Sequence, residues 1–373
     1  MPATVQEIET LLVDIPTIRP HKLSMTTMGC QTMMILRLTD SDGLVGIGEA
    51  TTIGGLSYGP QSPEGIKSAI DHYLGPLLKG QNCDDINGIC LRLNSAVKGN
   101  SFAKSAIETA LWDLKGKRLN QPLHALWGGA VNSHLPVLWT LASGDTARDI
   151  DEAKSLISAG RHNCFKLKIG ARSLTADVSH VAAIKAALGD DISVRVDVNQ
   201  AWDASTAAKG MQMLQDAGID LVEQPTPAKE RAALAQLCSR FVIPILADEA
   251  IEDSLDAFSL AAAGFCGAFA LKIAKAGGPQ QALKVAAVAR SAGIGLYGGT
   301  MLEGSIGTAA ALHAWATLGP LQWGTEMFGP LLMKDDIVTE PLRYHNFGVS
   351  LPTGPGLGIE LDQDKLAFYR RND

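Results

Sequence analysis

The sequence predicts an α/β fold: a (β/α)8-type barrel preceded by an N-terminal α+β region and followed by a C-terminal segment that returns to pack on that region. Three observations carry this. From about residue 135, short β-rich runs alternate with amphipathic helical stretches. Glycines stand where those helices should stop. Charged residues recur near the strand ends at the spacing of one βα unit, with Asp197, Glu223, Asp248 and Lys272 following one another at 26, 25 and 24 residues. A chain of 373 residues exceeds the usual single domain, and the boundaries fall at 1–130, 131–327 and 328–373.

The first ~50 residues read as a small antiparallel sheet. "IETLLVDIP", "TMMILRLTD" and "GLVGIGEA" are strand-like, and Ser41-Asp42-Gly43 is a turn between the second and third. From about 64 to 127 the pattern is helical: Ala103, Ile107, Ala110, Leu111 and Leu114 recur at helical spacing, and Gln121-Pro122 closes the segment.

The barrel region offers eight candidate strands: "PVLWTLAS", "CFKLKIG", "ISVRVDVN", "DLVEQP", "PILADE", "AFALKI", "IGLYGG" and "LQWGTE". Between the second and third, Val178, Val181, Ile184 and Leu188 form one helical face and Gly189 supplies the stop. Gly218, Gly264 and Gly293 end later helices, and Pro279 opens a helix after Gly277-Gly278. An open doubly wound sheet would carry a Gly-rich phosphate-binding turn after a strand, and none follows any of these runs. From Phe328 onward Pro- and Gly-rich turns dominate.

Residues 165–170, FKLKIG, set Lys166 and Lys168 on one strand face and Phe165, Leu167 and Ile169 on the other. In the next strand Arg195, Asp197 and Asn199 alternate with valines in the same way. In a closed ring, Asp197, Glu223 and Asp248 then stand side by side at the C-terminal rim, with the strand-two lysines on one flank and Lys272 on the other. Three carboxylates gathered in a low-dielectric site need compensation, and a hard divalent cation with oxygen ligands, Mg2+ or Mn2+, provides it. A lysine held beside a dication has its pKa lowered, and a neutral lysine is a general base whose conjugate acid returns the proton. One strand-end acid alone would read as a helix cap or surface ion pair. Five residues of the required types at matching strand ends do not.

Other classes are excluded by composition. A net charge of −7 argues against a nucleic-acid partner. No apolar run approaches the ~18 to 20 residues of a membrane span, and no secretory signal precedes the first strand. Six scattered cysteines without a CxxC pair read as buried free thiols in a reducing compartment, which implies a cytoplasmic protein.

The "KLK" of 166–168, Asp197 with Asn199, Glu223 in "VEQP", Asp248 in "ADE" and Lys272 in "ALKIAKAGG" resemble the enolase superfamily, in its muconate-lactonising subgroup. That superfamily is known for a Lys or His base working beside Mg2+ on an ene-diolate. "DIPTIRPHKL", "GEATTIGGLSYGPQSPEGIK", "WTLASGDTARDI", "GGTMLEGSIGT" and the terminal "WGTE" are similar to the subgroup in particular.

The resemblance implies that residues 1–130 form a capping domain, and that cis,cis-muconate is lactonised to muconolactone in the β-ketoadipate route of aromatic degradation. It implies Mn2+ or Mg2+ on Asp197, Glu223 and Asp248, with Lys168 exchanging the α-proton and Lys272 stabilising charge across the site. Lys166 is expected to favour the deprotonated form of Lys168 and to touch a substrate carboxylate. Asn199, Glu249 and Glu326 are expected beside the metal or substrate, although strand alternation would turn Glu249 away.

Capping loops at about 18–30 and 50–60 are expected to close the site, with Ile53, Tyr58 and Phe328 against the substrate and His21 or Lys22 drawing in the dianion. The partner is a small dicarboxylate, and homologues of this kind form homo-oligomers, often octamers. A chloromuconate-lactonising or dipeptide-epimerising relative would use the same barrel residues, and a non-catalytic barrel would not need them all.

Overall fold

The computed structural model describes residues 2–23 and 26–372. Strands β1 (Val5–Lys22), β2 (Thr27–Asp40) and β3 (Val45–Thr51) form an antiparallel sheet in that order. The turn between β2 and β3 is built by Asp40, whose Oδ1 accepts the Asp42 and Leu44 amides at 2.9 Å, with Gly43 at φ +80°. The sheet lies on the helix Ser101–Leu119, where Ala103, Ile107, Ala110, Leu111 and Leu114 are fully buried. The contact is backbone-close: a Cβ on Gly48 would stand 2.1 Å from the Ala106 carbonyl oxygen.

The stretch expected as a loop at 18–30 is mostly the end of a long hairpin, because His21 pairs with Met28 and Lys22 with Thr27. Two residues of that stretch, 24 and 25, lie outside the described residues.

Strand β4 (His134–Pro136) leads into a parallel seven-stranded sheet: β5 (Trp139–Leu141), β6 (Cys164–Lys168), β7 (Ser193–Asp197), β8 (Leu221–Glu223), β9 (Ile245–Ala247), β10 (Ala268–Leu271) and β11 (Gly295–Gly298). The eighth candidate strand does not extend. The Leu321–Gly324 turn consumes most of "LQWGTE", and a single residue, Thr325, bridges Val137 on one side and Gly298 on the other. Its amide donates to Pro136 O and its carbonyl accepts from the Leu138 amide, both at 2.9 Å, while the Glu326 amide donates to Gly298 O at 2.9 Å. The ring is therefore closed at its narrowest by one residue, with seven βα units instead of eight.

Four of the first five barrel helices carry their own caps, the exception being Arg231–Arg240. Asp145, Ser173, Asp203 and Asp253 each accept an amide of the helix they precede. The last two helices, Pro279–Ser291 and Ser305–Ala316, begin after Gly278 and Gly304, which have no side chain to offer. Their amides face carboxylates of the capping layer. Glu49 accepts from Gly304 N at 2.6 Å and Gly307 N at 2.8 Å, and Glu108 lies so close to Gly278 that a Cβ there would stand 1.5 Å from its Oε2. The open amides at a helix start need acceptors, and these two glutamates dock the cap onto the barrel by facing them.

The C-terminal segment adds β12 (Tyr344–His345) and β13 (Gly348–Ser350), which pair with each other, and β13 with β4. It then returns to β1, with Lys334 N donating to Pro16 O at 2.9 Å and Arg371 gripping both Asp14 oxygens at 2.7 Å. The cysteines are free, but Cys30, on β2, and Cys266, two residues before β10, are exposed instead of buried. Among the described residues no helix is long and apolar enough to cross a membrane.

Candidate active site

Register places the chemistry. Lys168 pairs with Asp197 and Asp197 with Glu223 across three adjacent strands, so these side chains stand level at the C-terminal rim. Glu223 pairs with Leu246, and Asp248 follows the end of β9 by one residue, its amide held by Gln224. Lys272 follows β10 directly, and Glu326 follows the closing bridge at Thr325. Arg195, lower on β7, stays at the barrel floor and donates to Trp323 O at 2.6 Å.

The two lysines of FKLKIG face this cluster. Lys166 Nζ is 2.9 Å from Glu223 Oε2 and 4.0 Å from Asp197 Oδ2, and also bonds Glu326. Lys168 bonds Asp197 Oδ2. Opposite them, Lys272 Nζ is 2.6 Å from Asp248 Oδ2 and Lys275 Nζ is 2.5 Å from Asp248 Oδ1. Tyr297 donates to Glu326, and the Lys166 ammonium stands 5.7 Å over the Tyr297 ring.

Burial and charge compete at each of these groups. Burial pulls the Lys166 ammonium down, but Glu223 and Glu326 outweigh it and its pKa stands well above the ordinary lysine value. Lys272 is raised in the same way, against burial, chiefly by Asp248. The expectation of depressed lysines therefore does not follow from the side chains alone. Burial also works against the Asp248 carboxylate, yet Lys272 and Lys275 hold it far below the usual range. Glu223 goes the other way: burial, and then Asp197, push it up to about 8 despite Lys166.

That crowding of like charge is what a divalent cation relieves. The donor set is all oxygen, from three carboxylates on neighbouring strands, which fits a hard ion such as Mg2+ or Mn2+. As the side chains stand, each carboxylate is engaged by an ammonium, and among the described residues no three acidic, histidine or cysteine side chains close on one point. Binding an ion there requires those ammonium groups to give up part of their contact.

The remaining expected residues divide. Tyr58 reaches the cluster, with its hydroxyl 2.9 Å from Asp248 Oδ2 and 3.2 Å from Lys272 Nζ. Asn199 donates its backbone amide to Asp197 Oδ1 and its side-chain amide to Glu249 Oε1. Glu249 is thus turned toward the cluster, not away, because β9 ends at Ala247 and alternation stops with it. Phe328 is buried with its ring 5.2 Å from Trp139 and 6.4 Å from His21, while Ile53 is buried in the apolar core. His21 cannot draw in an anion by charge: burial and the nearby Lys168 and Arg19 push it down to about 3. Lys22 reaches across to the Ser143 carbonyl at 3.4 Å. A cavity of about 800 Å³ opens on the Lys275 side, against Tyr58 and Glu249, and a smaller one of about 270 Å³ on the Lys168 side, against Lys22 and Arg172.

Comparison with known proteins matches residues 7–128 to the N-terminal domain of mandelate racemase / muconate lactonizing enzyme and residues 148–365 to the enolase C-terminal domain-like family. The chain belongs to the mandelate racemase / muconate lactonizing enzyme family. It is similar to muconate cycloisomerase 1 of Pseudomonas putida, at 56% identity covering 98% of both chains. It is also similar to a chloromuconate cycloisomerase of Cupriavidus necator, at 47% identity covering 98% of this chain and 99% of the other. Among solved structures, the muconate lactonizing enzyme of Pseudomonas fluorescens complexed with muconolactone superposes with a TM-score of 0.98, at 54% identity and full coverage of both chains. Enzymes of this family depend on a divalent metal.

Three residues of the site escaped the sequence reading. Lys275 stands one helical turn after Lys272, on the short helix Ile273–Ala276, and its position within "ALKIAKAGG" was the available signal. Gln224, at φ +36°, accepts the Asp248 and Ala250 amides at 3.0 and 3.1 Å and so fixes the turn that carries Asp248. Tyr297 offers no pattern of its own in "IGLYGG", since its partner Glu326 comes from a different strand.

Proposed function

We propose that this protein catalyses the metal-dependent cycloisomerisation of cis,cis-muconate to muconolactone. The observation that carries the reading is the level row Lys168, Asp197 and Glu223 on adjacent strands, faced by Lys272 on Asp248. Full-length relationship to muconate cycloisomerase, at higher identity than to the chloromuconate enzyme, supports the unsubstituted substrate.

Asp197, Glu223 and Asp248 are the proposed ligands of Mn2+ or Mg2+. The ion, when bound, supplies fixed positive charge where negative charge builds on the substrate carboxylate. The chain's own groups do the rest. One carboxylate of the substrate adds through oxygen to the double bond conjugated with the other, and the electron pair moves to that second carboxylate as an enediolate. Lys168, as the ammonium, then gives its proton to the α-carbon, and as the free amine it removes that proton in reverse. Lys272, on the opposite side, stabilises the enediolate. Lys166, held by Glu223 and Glu326, keeps a second positive charge beside Lys168 and so favours proton release from it. Asn199, Ile53, Tyr58 and Phe328 are assigned to the substrate pocket, and burial under the cap excludes water.

Mixing purified protein with Mn2+ and following the absorbance of cis,cis-muconate tests this. Rapid loss, with muconolactone as product and stopped by chelation, is the expected result. No loss, from protein shown to be folded and metal-loaded, overturns it and points to an epimerase or another lactonised acid.

A further inference from the structure

The first cap strand meets the barrel at one unusual carboxylate. Glu152, on the helix Thr146–Ser158 that follows β5, uses a single oxygen, Oε1, for two donors of different origin. The Trp139 indole Nε1–H reaches it from the barrel at 2.8 Å, and Arg19 reaches it from β1 at 2.9 Å. The same guanidinium donates to Thr140 O at 3.2 Å and stands 5.9 Å over the Trp139 ring.

Trp139 is buried, so its N–H needs that acceptor. One side of its ring is stacked by His162 at 5.2 Å, and His162 is itself held by Nδ1 donation to Val137 O at 2.9 Å. The indole also meets Phe328, at 5.2 Å and 60°. Phe328 in turn touches His21, which follows Arg19 by two residues. The contacts close on themselves: Arg19, Glu152, Trp139, Phe328, His21, and back to β1.

We infer that Arg19, Glu152 and Trp139 are positioning residues that seat Phe328, and thereby set how the pocket discriminates between unsubstituted and substituted muconates. The inference rests on the assignment of Phe328 to the substrate pocket. An aromatic ring packed at a tilt against a fixed indole cannot yield to a bulky substituent without moving the indole, and the indole N–H is fixed by one hydrogen-bonded carboxylate. Loosening Glu152 lets Trp139 and Phe328 shift together. The conformational freedom gained at the wall lowers selectivity and weakens ground-state binding while leaving the proton-transfer groups in place.

The test compares kcat and KM for cis,cis-muconate and 2-chloromuconate in the wild type, Glu152→Gln, Trp139→Phe, Phe328→Leu and the double variant Glu152→Gln/Phe328→Leu, with Mn2+ affinity as a control. Glu152→Gln should move the selectivity ratio by about threefold or more, through KM more than kcat, and should add nothing further on the Phe328→Leu background. Arg19→Lys should retain most of the wild-type ratio. A ratio unmoved in Glu152→Gln while Phe328→Leu moves it overturns the seat, as does independent addition of the two effects. If Phe328→Leu itself leaves the ratio unmoved, the seat falls together with the assignment of Phe328. Wild-type protein inert toward muconate would instead sink the proposed reaction. Should Trp139→Phe not fold, Glu152→Gln at a part-exposed side chain still decides the question.

Discussion

Tyr58 and Asp248 are joined across the seam between cap and barrel, the tyrosine hydroxyl donating to Asp248 Oδ2 over 2.9 Å. The same hydroxyl receives Lys272 Nζ at 3.2 Å, and that ammonium stands 5.0 Å over the Tyr58 ring. Burial, with Asp248 and Glu249 nearby, keeps the phenol pKa well above its usual value, so Tyr58 remains a donor at every working pH. A capping loop thus reports directly to a proposed metal ligand. Tyr58→Phe keeps the ring over Lys272 and removes the bond to Asp248. We expect a folded protein whose kcat/KM falls about tenfold, near 1.4 kcal/mol, as measured by steady-state kinetics. An unchanged kcat/KM would show the hydroxyl to be a spectator.

The two cap glutamates predict how stability responds to pH. Burial raises Glu49 from 4.5 to about 8, against the amides of Gly307 and Gly304, and raises Glu108 to about 7. The folded chain then holds protons that the unfolded chain releases above about pH 4.5. Stability contributed by these protonated forms is complete below that value and is lost as pH rises through 7 to 8. Two such groups amount to several kcal/mol as an order of magnitude. The melting temperature should therefore decline between pH 5 and 8, and Glu49→Gln should flatten the slope. A melting temperature that rises over that window would show that the helix amides win over burial at both sites.

Gly278 is the position where the cap leaves no room. Its φ is +141°, and a Cβ would stand 1.5 Å from Glu108 Oε2. Gly278→Ala should destabilise the protein by about 3 kcal/mol, read as a lower urea midpoint. Adding Glu108→Ala should recover part of that loss, because the clash is with the carboxylate itself. Strict additivity of the two changes would place the cost in the backbone alone.

The barrel and its rim were legible because both repeat. Each βα unit returns the chain to the same level, so Asp197, Glu223 and Asp248 declare themselves by spacing, and FKLKIG by alternation. What stayed hidden depends on contacts between distant segments. Gly278 and Gly304 look like uncapped helix starts until Glu108 and Glu49 are brought onto them by the fold. Glu249 was read by strand alternation past the point where β9 ends, and His21 by its formal chemistry without the burial that makes it neutral. Strand eight was counted from composition, although one residue, Thr325, suffices to close the ring.

The division of labour between the lysines can be separated by isotope. Lys168 bonds Asp197 and keeps 14% of its side chain exposed, whereas Lys166 keeps 3% and is held by Glu223 and Glu326. In the proposed mechanism the more accessible ammonium meets the carbon atom and the buried one sets its charge. Lys168→Ala should lower turnover about 10³-fold or more while leaving the fold and Mn2+ binding intact. In D2O the wild type should deliver one deuterium to the α-carbon of muconolactone on a single face, seen by proton NMR. Lys272→Ala should be slow as well, but the little product it forms should carry deuterium on that same face, since the proposed role of Lys272 is to stabilise charge without moving this proton. In Lys168→Ala, deuteration that survives on that same face would take the proton donor's role from Lys168, and deuteration on the opposite face would give it to Lys272.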